Sequence, residues 1–477
     1  MPQENGVRTQ HPEYIDKAET WQRCRDAAEG ERAVHAAGIA YLPKLASEKD
    51  KDYAARRDRT PFFNATWRTI AGLSGMLLRK SPDLEAPPAL EDLLEDVDRA
   101  GTPLHSFVSD LLTESLTVGR VGVLADYPEQ AAEPGITVAQ AVTLGLRPSL
   151  QKYTAESIIN WATERIGNSM VLSMVVLAEE VSIPGDTEFE RKSETRYRVC
   201  DLSQGQYRQR IYRIDDHGGD ELMSEVTPLM NGAPLAFIPF VFISVDSTGP
   251  QVEDPPLIDL VDMNLHHYQV SADYEHGCHF SGLPTLFISG YTPDQTDSPI
   301  YIGGPSANCL PMPESRAYFV ETSSNFSALR ANLDDKTQAM AVLGARMLEA
   351  QQRKVETAET VSQHRKGEES LLSNMAQTAS LGVTRALNWF AQWAGVQVDV
   401  SYEINRDFAP AGMTSADMTA LVSAWQAGAI SQEVMFDRFQ AAEVIAEDVT
   451  FEEEQARISS EAPKLMTNAG PDASTQP

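Results

Sequence analysis

Cysteine is scarce: four residues in 477 (Cys24, Cys200, Cys278, Cys309), far apart and without a CxxC pair. That count excludes a disulfide-stapled scaffold, and reduced thiols in a cytosolic product are expected. Long apolar runs are missing too. The longest, PLAFIPFVFI at 234–243, contains two prolines and falls well short of the roughly 20 residues a membrane helix needs. The opening MPQENGVRTQHPEY has no basic segment followed by an apolar one, so no secretory signal is expected. There is no basic excess either: 39 Lys and Arg stand against 69 Asp and Glu, a net charge of −30. A protein that wraps nucleic acid tightly usually carries the opposite balance, so if this chain meets DNA it does so without gripping it. Signatures of nucleotide motors and hydrolases are absent: no GxxxxGK[ST], GxSxG, HExxH or GxGxxG occurs. The stretch GLSGMLLRKS at 72–81 lacks the Gly-Lys-Ser core, and Asp83 and Glu85 have no following lysine to support a nuclease. No enzymatic activity, no cofactor and no metal are expected.

What is present is an ordinary globular composition, 42% hydrophobic and 23% charged, which argues against wholesale disorder. The chain is too long for one compact core. Charge is uneven. Residues 51–80 hold seven basic side chains (Lys51, Arg56, Arg57, Arg59, Arg68, Arg79, Lys80) against two acidic ones, Asp52 and Asp58, a balance of +5. Arg56 and Arg57 read as an exposed pair. From 411 to the end, three basic residues face eleven acidic ones, a balance of −8.

Periodicity gives an α+β, mainly helical chain. Residues 13–60 read as helical, Pro61 interrupts, and 62–78 restarts with Phe62, Trp67, Ile70, Leu73 and Leu77 near helical spacing. Residues 90–116 read as two helices joined at Gly101-Thr102-Pro103, with Thr102 as cap. VGVLAD at 121–126 is a short buried strand, and 148–243 is mostly β with a turn at 217–220. One helix spans 257–279, where Leu257, Val261, Leu265, Tyr268 and Ala272 form a single stripe. Short strands follow to 322. A second helix carries Leu329, Leu333, Met340, Leu343 and Met347. A polar segment runs from 351 to 369, a third long helix from 370 to 394, a strand from 399 to 404, and helices over 413–460. Two long amphipathic helices around a small β unit suggest that their stripes are covered by other subunits, with an internal bundle as the equal alternative. On the first reading, Leu265→Asp with Tyr268→Asp abolishes assembly while most of the chain stays folded.

Two groups of residues invite chemistry. His266, His267, Asp273, Glu275, His276, Cys278 and His279 fall within fourteen positions, and Glu275 and His279 at i, i+4 could share a metal on a helix. Without a second ligand group elsewhere, packing and helix-end roles are the stronger reading. Arg353, Lys354, His364, Arg365 and Lys366 place basic groups at both ends of the polar segment. They fit a solvated loop answering a helix dipole, or a loop that touches phosphate.

The segments RRDRTPFFNATWRTIAGLSGMLLRKSP (56–82), LEDLLEDVDRAGTPLHSFVSDLLTESLTVGRVGVLADYP (90–128), RPSLQKYTAESIINW (147–161), PPLIDLVDMNLHHYQVSADYEHGCHFSGLPTLFISG (255–290), LGARML (343–348) and GAISQEVMFDRF (428–439) resemble tailed-bacteriophage portal proteins of the group carrying a domain of formerly unknown function. The resemblance spans nearly the whole chain through the order and spacing of these segments. It implies a ring, normally of twelve subunits, at one capsid vertex of the virion, made in the host cytoplasm. The implied parts are N-terminal helices and wing (1–254), a first stem helix (255–280), a β-containing clip (281–326), a second stem helix (327–350), a tunnel loop (351–369), a long wing helix and strand (370–412), a helical crown (413–460) and a disordered tail (461–477). Leu257, Val261, Leu265, Tyr268, Leu333 and Met340 would then be stem contacts between subunits. Arg353, Lys354, His364, Arg365 and Lys366 would face the DNA. Implied partners are further copies of the chain, double-stranded DNA passing without sequence preference, the terminase large subunit, major capsid and scaffolding proteins, and a head–tail adaptor, with no membrane. The competing readings are another virion structural protein, such as a minor head or adaptor protein, and a metal-dependent hydrolase built on the histidine cluster.

Overall fold

The computed structural model describes residues 6–128, 146–281, 285–289, 316–320, 326–345, 358–406, 415–426, 429–441, 445 and 449–461. The chain is α+β and forms two compact units, Met1–Arg406 and Asp407–Pro477.

The first unit opens with four helices, α1 (Pro12–Glu29), α2 (Glu31–Ala37), α3 (Asp50–Arg59) and α4 (Ala65–Leu77). Pro12 occupies the first turn of α1, and His11 accepts from the Glu13 amide at 3.2 Å. Asn64 caps α4 by accepting from the Trp67 amide at 2.8 Å. The next helix, α5 (Leu104–Val118), starts one residue after Pro103, and Thr102 makes no cap. Between 90 and 103 there is only one α-turn, Glu91–Leu94. Asp96 takes the amide of Gly101, and Asp98 takes those of Ala100 and Thr102. These side chains offer the backbone a turn in place of a helix.

Strands β2 (Arg120–Asp126), β3 (Ser149–Thr154) and β11 (Phe240–Ser244) form an antiparallel sheet in the order β11-β2-β3. Strands β4 (Ile158–Ile166), β5 (Ser169–Pro184), β6 (Arg191–Ser203), β7 (Gln206–Ile214) and β8 (Asp220–Val226) form a five-stranded meander. A two-residue ladder, β9 (Leu229–Met230) with β10 (Ala233–Pro234), precedes β11. β1 (Asp83–Glu85) pairs with β14 (Ser401–Glu403), tying the end of this unit back to its first quarter.

Three further helices follow the sheets: α6 (Ile258–Ser281), α7 (Ser327–Met340) and α8 (Ala358–Trp393). α6 lies in the helical core. Leu257, Val261, Leu265, Tyr268 and Ala272 are all at most 6% exposed, and the last four pack in one cluster with Trp21, Cys24, Ala27, Val34, Leu42, Tyr53 and Phe62 of the same chain. Of the two readings of the stripe, this packing favours the internal bundle: residues of α1, α2 and α3, together with Leu42 and Phe62, lie against it. α8 crosses β11 closely. A Cβ on Gly382 would lie 2.5 Å from the Ile243 side chain, so a larger residue would push the helix off the sheet.

In the second unit, α9 (Ser415–Gln426), α10 (Gln432–Ala441) and α11 (Phe451–Glu461) occupy the region read as helical. Phe436 is buried and meets Phe451 edge to face at 5.5 Å. Thr450 and Glu453 exchange side-chain-to-amide hydrogen bonds at 3.1 and 3.3 Å, a capping box that starts α11. The proposed disordered tail lies outside the described residues beyond 461.

Candidate functional site

The described elements from α6 to α8 are, in chain order, a helix, two short strands, a helix and a long helix. α6 and α7 run antiparallel: Tyr274 near the end of α6 meets Phe326 at the start of α7, edge to face at 6.3 Å. Gly277 permits that approach, because a Cβ there would fall 2.5 Å from the Phe326 ring. Between the helices, β12 (Thr285–Ser289) and β13 (Arg316–Val320) pair antiparallel. A five-residue π-turn, Ala341–Ala345, ends α7.

Asn264 fixes α6 in place, and nothing in the sequence singles it out. Its side chain is fully buried. Oδ1 accepts from the Thr66 amide and hydroxyl at 3.1 and 3.0 Å, while Nδ2 donates to the Phe63 carbonyl at 2.8 Å. All the hydrogen bonds at the first turn of α4 that involve Asn264 would be lost without it. Arg25 adds a second tie, donating to the carboxylates of Glu114 and Glu156 and so joining α1 to α5 and to the turn between β3 and β4.

Arg56 is not the exposed cation that the sequence suggested. It is 2% exposed, donates to both Glu48 carboxylate oxygens at 2.8 and 2.9 Å, and reaches the Pro43 carbonyl at 2.8 Å. These hydrogen bonds hold the Glu48 carboxyl down to about 2. Arg57 remains at the surface beside Asp58. Arg120 is a second buried guanidinium, stacked between Trp161 at 4.0 Å and Phe242 at 4.3 Å, and burial pushes its pKa down to about 9. A charged side chain inside a strand-like apolar run leaves no sequence signal of burial.

The histidine cluster does not converge. His266 is exposed and lines a cleft with Asp262 and Gln269. The His267 ring meets Phe63 at a tilt, with centroids 5.9 Å apart, while His276 lies toward Arg56 and Glu48. Burial lowers the pKa of both, His267 with help from Lys336 and His276 with help from Arg56. Helical rotation sends neighbouring positions in different directions. Among the described residues, no three His, Cys, Asp or Glu side chains are placed to share a metal ion. Burial also pushes the Cys24 and Cys200 thiols up to about 12, so neither is a poised nucleophile.

Of the expected stem contacts, Leu257, Val261, Leu265 and Tyr268 are buried within their own chain, as is Met340 at 1% exposure. Leu333 on α7 is half-buried. Of the expected tunnel loop, residues 351–357, including Arg353 and Lys354, lie outside the described residues. Residues 358–369, including His364, Arg365 and Lys366, are helical and open the 36-residue α8. Ala, Glu, Gln, Arg and Lys are good helix formers, so a polar composition alone does not make a loop.

Among the described residues no helix is long and apolar enough to cross a membrane. A family described as a domain of unknown function (DUF4055) matches residues 256–394, the stretch from α6 to the end of α8. No curated protein matches the chain. Solved structures with a similar chain include "Virion of native gene transfer agent (GTA) particle", 12% identical over 89% of this chain and 98% of the other, TM-score 0.39. "Neck of empty GTA particle computed with C6 symmetry" is 11% identical over 88% and 98%, TM-score 0.39. "Neck of native GTA particle computed with C12 symmetry" is 13% identical over 78% and 88%, TM-score 0.37.

Proposed function

We propose that this chain is a tailed-phage virion structural protein, specifically a portal subunit that assembles into a ring through which DNA is packaged and ejected. The observation that carries the reading is the antiparallel pair α6 and α7, with the paired strands β12 and β13 between them in the chain and the long helix α8 after them. That order matches the stem, clip, stem and wing helix implied by the sequence resemblance. The net charge of −30 supports it. An acidic bore repels phosphates, keeps a duplex centred and leaves no deep binding minimum to escape. Screening limits that field to about 8 Å at physiological salt, so it acts only where the bore is narrow. The chain carries no phosphate-binding signature for a motor, so the work of packaging comes from a separate ATPase docking on the ring.

Negative-stain electron microscopy of the purified full chain tests the proposal. Rings with a central hole are the expected result. Particles that remain single chains, or that form open filaments only, overturn it.

A further inference from the structure

We propose that the tip of the β5–β6 hairpin is a knob, anchored by Phe189, that seats in an apolar cleft of a second copy of this chain. The inference rests on the ring reading and names one contact that would hold the ring.

The hairpin projects beyond its sheet. β4 pairs along β5 only as far as Leu177, and β7 pairs along β6 only from Arg196. The rungs from Glu180↔Thr195 to Pro184↔Arg191 therefore have no third strand beside them. A bare two-stranded ribbon is marginal in water, yet this one is closed by local bonds. The Gly185 amide donates to the Glu190 carbonyl at 2.8 Å, the Glu190 amide donates to the Thr187 carbonyl at 3.1 Å, and Lys192 pairs with Asp186 at 2.8 Å. The ordered turn presents Phe189 at 89% exposure, flanked by Glu188 and Glu190. Phenylalanine usually buries about 150–250 Å² in a core or interface. A held turn that leaves it in water gains nothing from it within this chain.

A complementary cleft lies at the other end of the same hairpin. It measures about 590 Å³ and is lined by Met170 and Leu172 of β5, Phe237 and Phe242 near β11, and Arg385 and Trp389 of α8. The Phe237 and Trp389 rings stack at 5.6 Å, and Met170 is 65% exposed. Arg385 is exposed and has no ion-pair partner among the described residues. An aromatic knob set between carboxylates thus matches an aromatic and thioether cleft topped by a cation. The knob cannot reach the cleft of its own chain. From Met170 to Pro184 the strand advances 14 residues, roughly 46 Å at 3.3 Å each. Two different patches that fit one another make a head-to-tail contact, and repetition of such a contact closes into a ring when the rotation permits. One phenylalanine covers only a fraction of the roughly 1,600 Å² typical of a stable interface. It serves as an anchor within a wider contact.

Mass photometry of the full chain across a dilution series measures the effect. Phe189→Ser should raise the concentration needed for half-assembly roughly 10- to 100-fold, while Phe189→Tyr stays close to wild type. Arg385→Glu should weaken assembly, and adding Glu188→Arg should restore part of it. In a Cys278→Ser, Cys309→Ser background, mixing Phe189→Cys with Met170→Cys under mild oxidation should give a disulfide-linked dimer that neither variant forms alone. A wild-type chain that stays monomeric at every concentration, with no cross-link, sinks the ring reading and this inference with it. Rings that persist unchanged in Phe189→Ser and give no cross-link sink the inference alone, and would leave the knob to a partner of different chemistry.

Discussion

α6 and α7 lie side by side and differ in what covers them. Along α6, Val261, Leu265, Tyr268 and Ala272 are buried against residues of the same chain. Along α7, Met340 is the one fully buried residue, and Leu329 and Leu333 are only half-buried. Just beyond it, Val342 and Leu343 are 55% and 37% exposed. Both helices have an apolar periodicity in the sequence. Periodicity reports that a face will be covered, but not which chain covers it. In this unit the longer and more regular stripe belongs to the internal core, and the weaker one is left incompletely covered.

The largest test of that difference is Leu265→Asp with Tyr268→Asp. Each carboxylate would enter the packed core, at a cost of several kcal/mol apiece, against a total stability of about 5–15 kcal/mol. The first unit should unfold, seen as loss of near-ultraviolet circular dichroism and rapid proteolysis between 12 and 120. A folded body that merely fails to assemble would return the α6 stripe to the subunit interface.

Second in size is the ion pair within the cover over α6. Glu48→Gln leaves Arg56 buried with a neutral partner and should cost about 3 kcal/mol in urea unfolding at pH 7. The sign with pH follows from the depressed Glu48 carboxyl. Its stabilisation is complete above the ordinary value of 4.5, shrinks as pH falls below it, and is gone once pH drops through about 2. The gap between wild type and Glu48→Gln should therefore close over that window. A gap that does not change with pH would mean that the pair contributes no linkage.

Asn264→Ala comes third. It removes one side chain that satisfies the Thr66 amide and hydroxyl and the Phe63 carbonyl, and should cost about 2 kcal/mol. Chemical denaturation would read it, and a change under half that size would show that water replaces the amide.

Much of this architecture was legible. The α6 helix was expected over 257–279 and spans Ile258–Ser281, and the β region between 148 and 243 contains the expected strands. These elements are long and strongly periodic, so local pattern and tertiary context agree. Three features were not legible, for separate reasons. Arg56 is buried because Glu48 lies eight residues earlier across a turn, a pairing that no charge count contains. Residues 95–102 form a turn because Asp96 and Asp98 bond the backbone locally. Residues 358–369 are helical because helix formers can be entirely polar. The cleft and its knob were illegible for a fourth reason. Phe189 sits in an acidic turn of no distinctive pattern, and its exposure follows only from how far β5 and β6 outrun their neighbours.

The smallest expected effect on the fold is also the one that separates the two helices most sharply. Leu333→Asp places a carboxylate on a half-buried face of α7, where water can still reach it. The cost to the isolated chain should be about 1 kcal/mol or less, below that of any substitution on the α6 stripe. If a second copy covers α7, the same carboxylate is desolvated on assembly and the ring weakens far more than the fold. The paired measurement is urea unfolding of the dissociated chain beside mass photometry of the assembly. An unchanged unfolding midpoint with lost rings assigns the α7 face to the space between subunits. A large drop in the midpoint would instead make α7 an internal helix like α6, and the contrast between the two would disappear.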